Sequence, residues 1–433
     1  MSSSPSRRMK IGDFLLRRLK EAGVRHLFGV PGDYNLELLQ QLQDTGALKW
    51  IGTCSELNAS YAADGYSRLN GLGALLVTNG VGALSAINGV GGSYSEHVPV
   101  ICIAGSIPLR SVERGLGMHH TMADGSYDHF LDAYAQVTAA HVRLTPRNAA
   151  TEIDRLILTA WREKLPVYME LPSDIAYLDI EVPTEPLVLA DPPGDPERLR
   201  SCIAAIAREL SAATSPAILV DADAGRFGVA SELMELAEKL QSPVAVMNTA
   251  KGVIDETFPH YLGIYNGRVS EPHVRDAIEA SDCLLAIGHR PIEVTTGDFT
   301  ATLPANTIHA RGHSVDVGDD NYQAVTLREV LSGHYRRGPT GQEPRSVPCR
   351  GSCGGRERRR FARRPIRQAD SGCLLAGHAR VPPEGRRPVR RQWHVIRHIW
   401  FEVSAEVHLR RVSQLGIHRL LGRSVARHAD GGT

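Results

Sequence analysis

Long apolar runs are missing from this sequence. No stretch of about 18 consecutive apolar residues occurs, which argues against a helix that crosses a membrane. The start, Met1 to Lys10, is Ser-rich with Arg7 and Arg8, but no apolar core and cleavage site follow it. It does not read as a secretory signal, and Met9 is a second candidate start. Cysteine is sparse, scattered and odd in number: Cys54, Cys102, Cys202, Cys283, Cys349, Cys353 and Cys373. That pattern argues against a disulfide framework and for a reducing cytoplasm. Cys349 and Cys353 with nearby His have only a loose zinc spacing, and no second matched pair follows. Lysine is absent from the last part of the chain. Arg336 to Thr433 holds 22 Arg, no Lys and 7 acidic residues, a net charge of +15, whereas the first 335 residues carry −14. An acidic body is joined to a basic tail, and the two must be read separately.

What is present is ordinary globular composition, 42 % hydrophobic and 22 % charged over 433 residues, enough for about three domains. Residues 11–180 alternate helix and strand signals. Ile11, Phe14, Leu15, Leu19 and Ala22 mark a helical face, and Gly23 suits the position just past its end. His26–Val30, Trp50–Thr53, Ala74–Thr78, Val98–Ala104 and Pro166–Leu171 read as strands, and Glu56–Arg68 as a helix. Ile153, Leu156, Ile157, Ala160 and Trp161 form a further stripe. The expected fold class is α/β: two doubly wound parallel-sheet domains followed by an irregular Arg-rich tail. The first domain is expected over 9–182. Pro183, Pro186, Pro192, Pro193 and Pro196 mark a stiff linker over 183–197. A Rossmann-like central domain over 198–335 follows, with strands at Ala217–Val220, Val244–Met247, Cys283–Ile287 and Thr307–His309. The tail, 336–433, has no sustained period, and only Trp400–Leu409 and Val412–Leu421 read as short ordered pieces.

The candidate chemistry is densest in the first domain. Glu56 falls in the first turn of its helix, where an acid also simply complements the helix dipole. His119-His120 follows the Gly-rich stretch Gly115-Leu116-Gly117, and adjacent loop histidines are commonly surface residues. Asp33 follows Pro31-Gly32 and taken alone is a turn acid. Gly80, Gly82, Gly89, Gly91 and Gly92 fit no dinucleotide fingerprint, so they line a phosphate or allow close helix packing.

Taken in order, these segments say more. They run Val30-Pro31-Gly32-Asp33-Tyr34-Asn35, Cys54-Ser55-Glu56-Leu57-Asn58-Ala59, Ala62-Ala63-Asp64-Gly65-Tyr66, the stretch Gly80 to Gly89, and His119-His120-Thr121. Together with Pro166 to Pro172, Lys251 to Glu256 and Tyr265-Asn266-Gly267, this closely resembles the thiamine diphosphate-dependent 2-oxo acid decarboxylases, the pyruvate and indolepyruvate/phenylpyruvate decarboxylase family. The resemblance covers roughly residues 10–330. It implies a lyase that converts a 2-oxo acid to an aldehyde and carbon dioxide, with thiamine diphosphate and Mg2+ as cofactors, a small-molecule substrate and a homo-oligomer. It places at Glu56 the carboxylate that hydrogen-bonds the cofactor's aminopyrimidine ring, and at Asp33, His119 and His120 the acid/base groups beside the substrate, the paired histidines acting as a proton relay.

The resemblance also has a limit. Family members carry a third domain whose Gly-Asp-Gly, with Asn-Asn downstream, holds magnesium and the diphosphate. Neither that motif nor any metal set is found here, and the resemblance stops near Tyr335. In the central domain Thr295-Thr296-Gly297-Asp298-Phe299-Thr300 resembles the family's Asn-Thr-Gly-x-Phe-Thr, with Thr295 in place of Asn. The abrupt stop, the charge reversal and the switch from mixed Lys and Arg to Arg alone lead to the expectation that the tail is read out of frame or is disordered. The chain is then an impaired decarboxylase. Two other readings are an inactive relative that pairs with an intact subunit, and a nucleic-acid-binding protein acting through its basic tail. The tail's lack of Lys and of any recognised binding motif speaks against the last.

Overall fold

The structure is a computed structural model and describes residues 6–192 and 194–333. The Arg-rich tail over 336–433, with Cys349, Cys353 and the segments at 400–409 and 412–421, lies outside the described residues.

The first sheet has six parallel strands, β2 (His26–Gly29), β3 (Lys49–Gly52), β4 (Gly73–Thr78), β5 (Val100–Ser106), β6 (Ala140–Arg143) and β7 (Val167–Pro172), in the order β3-β2-β4-β5-β7-β6. The central strands β4, β5 and β7 are buried along their whole length and mostly apolar, as a sheet covered on both faces requires, and the one charged residue among them, Glu170, is paired with Arg143. Alternate residues serve opposite faces. Ala74, Leu76, Ile101, Ile103, Val167 and Met169 pack with α1 (Ile11–Glu21), α2 (Leu36–Thr45) and α7 (Ala149–Glu163). Leu75, Val77, Val100, Cys102, Ala104 and Tyr168 pack with α3 (Glu56–Asn70), α4 (Val81–Ser95) and α6 (His129–Ala135). The short α5 (Leu109–Glu113) follows β5.

Outside this sheet, β1 (Ser6–Lys10) pairs antiparallel with β8 (Asp179–Pro183), so residues upstream of Met9 take part in the fold. The segment read as a linker over 183–197 is tied down. Arg17 and Arg18 donate to the carbonyls of Pro183, Thr184 and Glu185, and Glu21 accepts from the Leu187 amide at 2.9 Å. Its first Pro closes β8, and Pro196 opens the next helix with Asp195 as N-cap.

The second sheet has seven strands. Those are β9 (Pro216–Val220), β10 (Val244–Met247), β11 (Tyr261–Tyr265), β12 (Cys283–Ile287), β13 (Thr307–Ala310), β14 (Ser314–Val317) and β15 (Asp320–Gln323), in the order β11-β10-β9-β12-β13-β14-β15. It is parallel through β13, and the last two strands add an antiparallel hairpin at the edge that the sequence reading did not contain. Helices α8 (Pro196–Ala212), α9 (Ala222–Arg226), α10 (Ala230–Leu240), α11 (Pro272–Glu279), α12 (Glu293–Thr296) and α13 (Leu327–Leu331) complete the domain. Thr295, where the family has Asn, serves locally: its hydroxyl accepts from the Ile292 amide at 3.1 Å and fixes the start of α12. Among the described residues no helix is long and apolar enough to cross a membrane. Cys54 is exposed, and Cys102, Cys202 and Cys283 are buried free thiols.

Candidate active site

The chain leaves β2 toward β3 on one side and returns to β4 on the other, so the strand order reverses between β2 and β4. In open parallel sheets, the crevice outside the carboxyl ends at such a reversal is where ligands bind. Asp33 follows β2, Glu56 follows β3, and Asn79-Gly80 follows β4, so these residues share that edge.

The turn that carries Asp33 is held by its neighbours. Asn35 accepts from the Gly32 amide at 2.9 Å and donates to the Val30 carbonyl at 3.1 Å. Asp33 itself stays half exposed, and its Oδ2 lies 2.5 Å from His119 Nε2. The other ring nitrogen of His119, Nδ1, is 3.1 Å from the Tyr34 hydroxyl, and the two rings stack with centroids 5.0 Å apart. Burial, reinforced by the negative charge of Asp33, pushes the Tyr34 phenol above its ordinary pKa. A carboxylate oxygen accepts, so in the Asp33 contact Nε2 is the donor, while the Tyr34 hydroxyl, within reach of Nδ1, also donates to the His119 carbonyl at 3.3 Å.

His120 is placed differently. Its backbone is left-handed, with φ at 59°. Asn79 Nδ2 donates to its carbonyl at 3.1 Å, and its ring centroid is 4.6 Å from that of His119. Its Nδ1 is buried without a hydrogen-bond partner among the described residues. Thus one histidine of the pair has both nitrogens engaged, and the other presents a free one.

Glu56 opens α3 behind the N-cap Ser55, whose hydroxyl accepts from the Asn58 amide at 3.3 Å. Among the described residues its half-buried carboxylate has no hydrogen bond or ion pair. A Cβ on Gly82 would lie 3.1 Å from Glu56 Oε1 and 3.0 Å from Thr78 Cγ2, so glycine keeps space open beside the carboxylate. A Cβ on Gly32 would come within 2.7 Å of Thr78 Cβ. Thr78 therefore forms a wall shared by the Asp33 turn and the Glu56 side, and its own buried Oγ1 has no partner.

The glycines divide by task. At Gly80 (φ 63°) a Cβ would meet the His120 carbonyl oxygen at 2.2 Å, and Gly82 faces Glu56. At Gly89 it would meet Ser60 Oγ at 2.1 Å, which is close helix packing of α4 on α3. Gly91 and Gly92 have no close neighbour of this kind. Asp33, His119 and His120 bring one potential ligand atom each to within 4.8 Å of one another. Two imidazoles and one carboxylate are not the oxygen-rich set that magnesium takes, and the Asp33–His119 contact has hydrogen-bond length. Sequence reasoning assigned no role to Tyr34, Thr78 or Asn79. Tyr34 stands inside the quoted Asp33-Tyr34-Asn35 segment, but a tyrosine bound to a residue 85 positions away leaves no local signal.

Residues 9–130 match the family model described as the thiamine pyrophosphate enzyme N-terminal TPP binding domain, and residues 203–329 match the thiamine pyrophosphate enzyme central domain. The chain is 40 % identical over 348 residues to a pyruvate decarboxylase from Aspergillus terreus, covering 78 % of this chain and 61 % of that protein. It is 41 % identical over 325 residues to a pyruvate decarboxylase from Aspergillus fumigatus, covering 74 % and 57 %. It is 38 % identical over 322 residues to an alpha-keto-acid decarboxylase from Mycobacterium tuberculosis, again covering 74 % and 57 %. The chain spans about three fifths of the length of these relatives.

Proposed function

Because this chain belongs to the thiamine diphosphate-dependent 2-oxo acid decarboxylase family, we propose that its first domain is the pyrimidine-binding half of an enzyme that decarboxylates a 2-oxo acid of the pyruvate, phenylpyruvate or indolepyruvate type. The observation that carries this reading is the meeting of Asp33, Glu56 and His119-His120 at one sheet edge. Its domains are the pyrimidine half over 9–182 and the central domain over 198–335, joined through 183–197. The working enzyme is a magnesium-dependent cytoplasmic homo-oligomer, and the half-site that holds the diphosphate is not encoded in frame in the 433 residues.

The residues fit the ring they are assigned. A partnerless half-buried carboxylate, an orphaned Thr78 hydroxyl and the space at Gly82 suit a flat polar ring that carries both donors and acceptors. When bound, thiamine diphosphate supplies the sink for the electrons left by the departing carbon dioxide. Glu56 holds a proton at Oε1 or Oε2 against the ring. The Asp33–His119 pair, braced by Tyr34, keeps one imidazole in a fixed tautomer. His120 then has Nδ1 available to give or take a proton at the substrate. The reading of the chain as a nucleic-acid binder rests on the tail alone, which lies outside the described residues.

Titrating the 433-residue chain by calorimetry with thiamine and with thiamine diphosphate plus magnesium tests the half-site. The expected result is weak binding of equal strength for both, because only the pyrimidine side is built. Tight, magnesium-dependent binding of the diphosphate form would mean that the tail supplies a phosphate site. No binding of either would remove the pyrimidine assignment.

A further inference from the structure

A cavity of about 600 Å³ shares no residue with the Asp33–Glu56 edge. Trp161 and Lys164 at the end of α7, Asp191 of the connecting segment, and Phe227, Leu327 and Arg328 of the central domain line it. This volume lies within the range of small-molecule sites. Lys164 caps α7 in the left-handed conformation, φ 56°, where glycine is the usual residue, and is only 9 % exposed. Among the described residues its ammonium has no ion pair or hydrogen bond. Instead Nζ lies over the faces of Trp161, at 4.6 Å from the centroid, and Phe227, at 5.4 Å.

The surroundings do not hold the charge firmly. Arg328 is engaged by Glu232 and by the Gly228 carbonyl, and Glu329 by Thr326. His313 is taken up by the Arg162 carbonyl at 3.0 Å. Arg162 Nε and Asp191 Oδ1 stand 3.7 Å apart, and neither has a hydrogen-bond partner. Asp191 favours the ammonium, but burial outweighs it and pushes Lys164 down to about 8. At pH 7.5 that raises the neutral fraction roughly two-hundredfold over an ordinary lysine.

We propose that Lys164 is a nucleophilic amine whose cavity takes small aldehydes with apolar or aromatic side chains as a reversible imine. Amines desolvated against apolar walls are activated in this way. The nitrogen lone pair attacks the carbonyl carbon, the carbonyl electrons move to oxygen, and a proton passes from the attacking nitrogen to that oxygen. The carbinolamine then loses water to leave the carbon–nitrogen double bond, with no change of oxidation state. Trp161 and Phe227 provide the surface for the aldehyde's side chain. The inference does not depend on turnover, because the aldehyde can be supplied directly.

The test uses the full 433-residue chain, benzaldehyde and cyanoborohydride, with peptide mapping by mass spectrometry across pH. Side chains of Lys239 and Lys251 are 58 % and 59 % exposed, and accessibility alone would label them first. The expected result at pH 7 is the reverse order, with Lys164 labelled at least about tenfold faster and its rate levelling off near its pKa of about 8. Labelling of Lys239 and Lys251 should still climb above pH 9. Lys164→Arg should abolish the fast phase alone. Labelling that follows exposure, or a Lys164 rate that rises only above pH 10, would overturn the proposal, and both are read in the unmodified protein.

Discussion

Glu56→Gln should lower 2-oxo acid decarboxylation by about 10²- to 10⁴-fold in the enzyme completed with a diphosphate-binding domain, the range that positioned proton transfer contributes. The substitution keeps the shape and the hydrogen-bonding reach of the side chain and removes its charge together with its ability to exchange a proton. Because Glu56 has no hydrogen bond or ion pair among the described residues, folding should barely register the change. Loss of one favourable charge at the start of α3 costs about 0.3–1 kcal/mol. Steady-state kinetics with denaturant unfolding of the same sample separates the two effects. Near-normal turnover would remove the role assigned to Glu56, and a large loss of stability would make the activity loss uninformative about proton transfer.

Gly80→Ala is expected to damage both the fold and the chemistry. Gly80 has φ 63° and ψ −102°, a combination that residues with a Cβ rarely adopt, and the added carbon would meet the His120 carbonyl oxygen at 2.2 Å. Backbone cannot swing aside as a flexible side chain can. Strain and forced movement together should cost about 2–4 kcal/mol. The displaced segment carries His119 and His120, and a shift of about 1 Å in such groups lowers turnover about a hundredfold. A useful contrast is Gly92→Ala, where a Cβ would have no neighbour within 4 Å. That change should leave activity intact and stabilise α4 by up to about 1 kcal/mol, as replacement of glycine in a helix interior does. Equal behaviour of the two variants would show that the glycines of this stretch have no separate tasks.

The elements that positioned the site were legible where burial is uniform. β4, β5 and β7 are buried throughout and mostly apolar, broken only by Glu170 and the end residues Thr78 and Ser106, and their ends fell close to the expected places. Helix α4 was harder. Gly82, Gly89, Gly91 and Gly92 lower its helix propensity, and the tight approach of Gly89 to Ser60 on α3 compensates through packing that no local window contains. The hairpin β14–β15 was missed because β15, Asp-Asn-Tyr-Gln, is short, polar and mostly exposed. In the site, the residue types and order of Asp33, Glu56, His119 and His120 were readable. The contact of Asp33 with His119, 86 positions apart, and the different states of the two histidines were not. They depend on Tyr34, Asn79 and Gly80, whose contributions appear only when three loops converge at the reversal between β2 and β4.

The proposal under test is that residues 6–333 are the first part of a 2-oxo acid decarboxylase and that its diphosphate half lies in another reading frame. Translating the gene beyond codon 335 in the other two frames and expressing the joined product supplies the material. The decisive measurement is aldehyde and carbon dioxide released from pyruvate, phenylpyruvate and indolepyruvate by that product. The account predicts one aldehyde per carbon dioxide from at least one of these acids, dependent on both thiamine diphosphate and magnesium. A joined product that binds both cofactors and releases neither aldehyde nor carbon dioxide would contradict it, as would two frames with no Gly-Asp-Gly and downstream Asn-Asn to join.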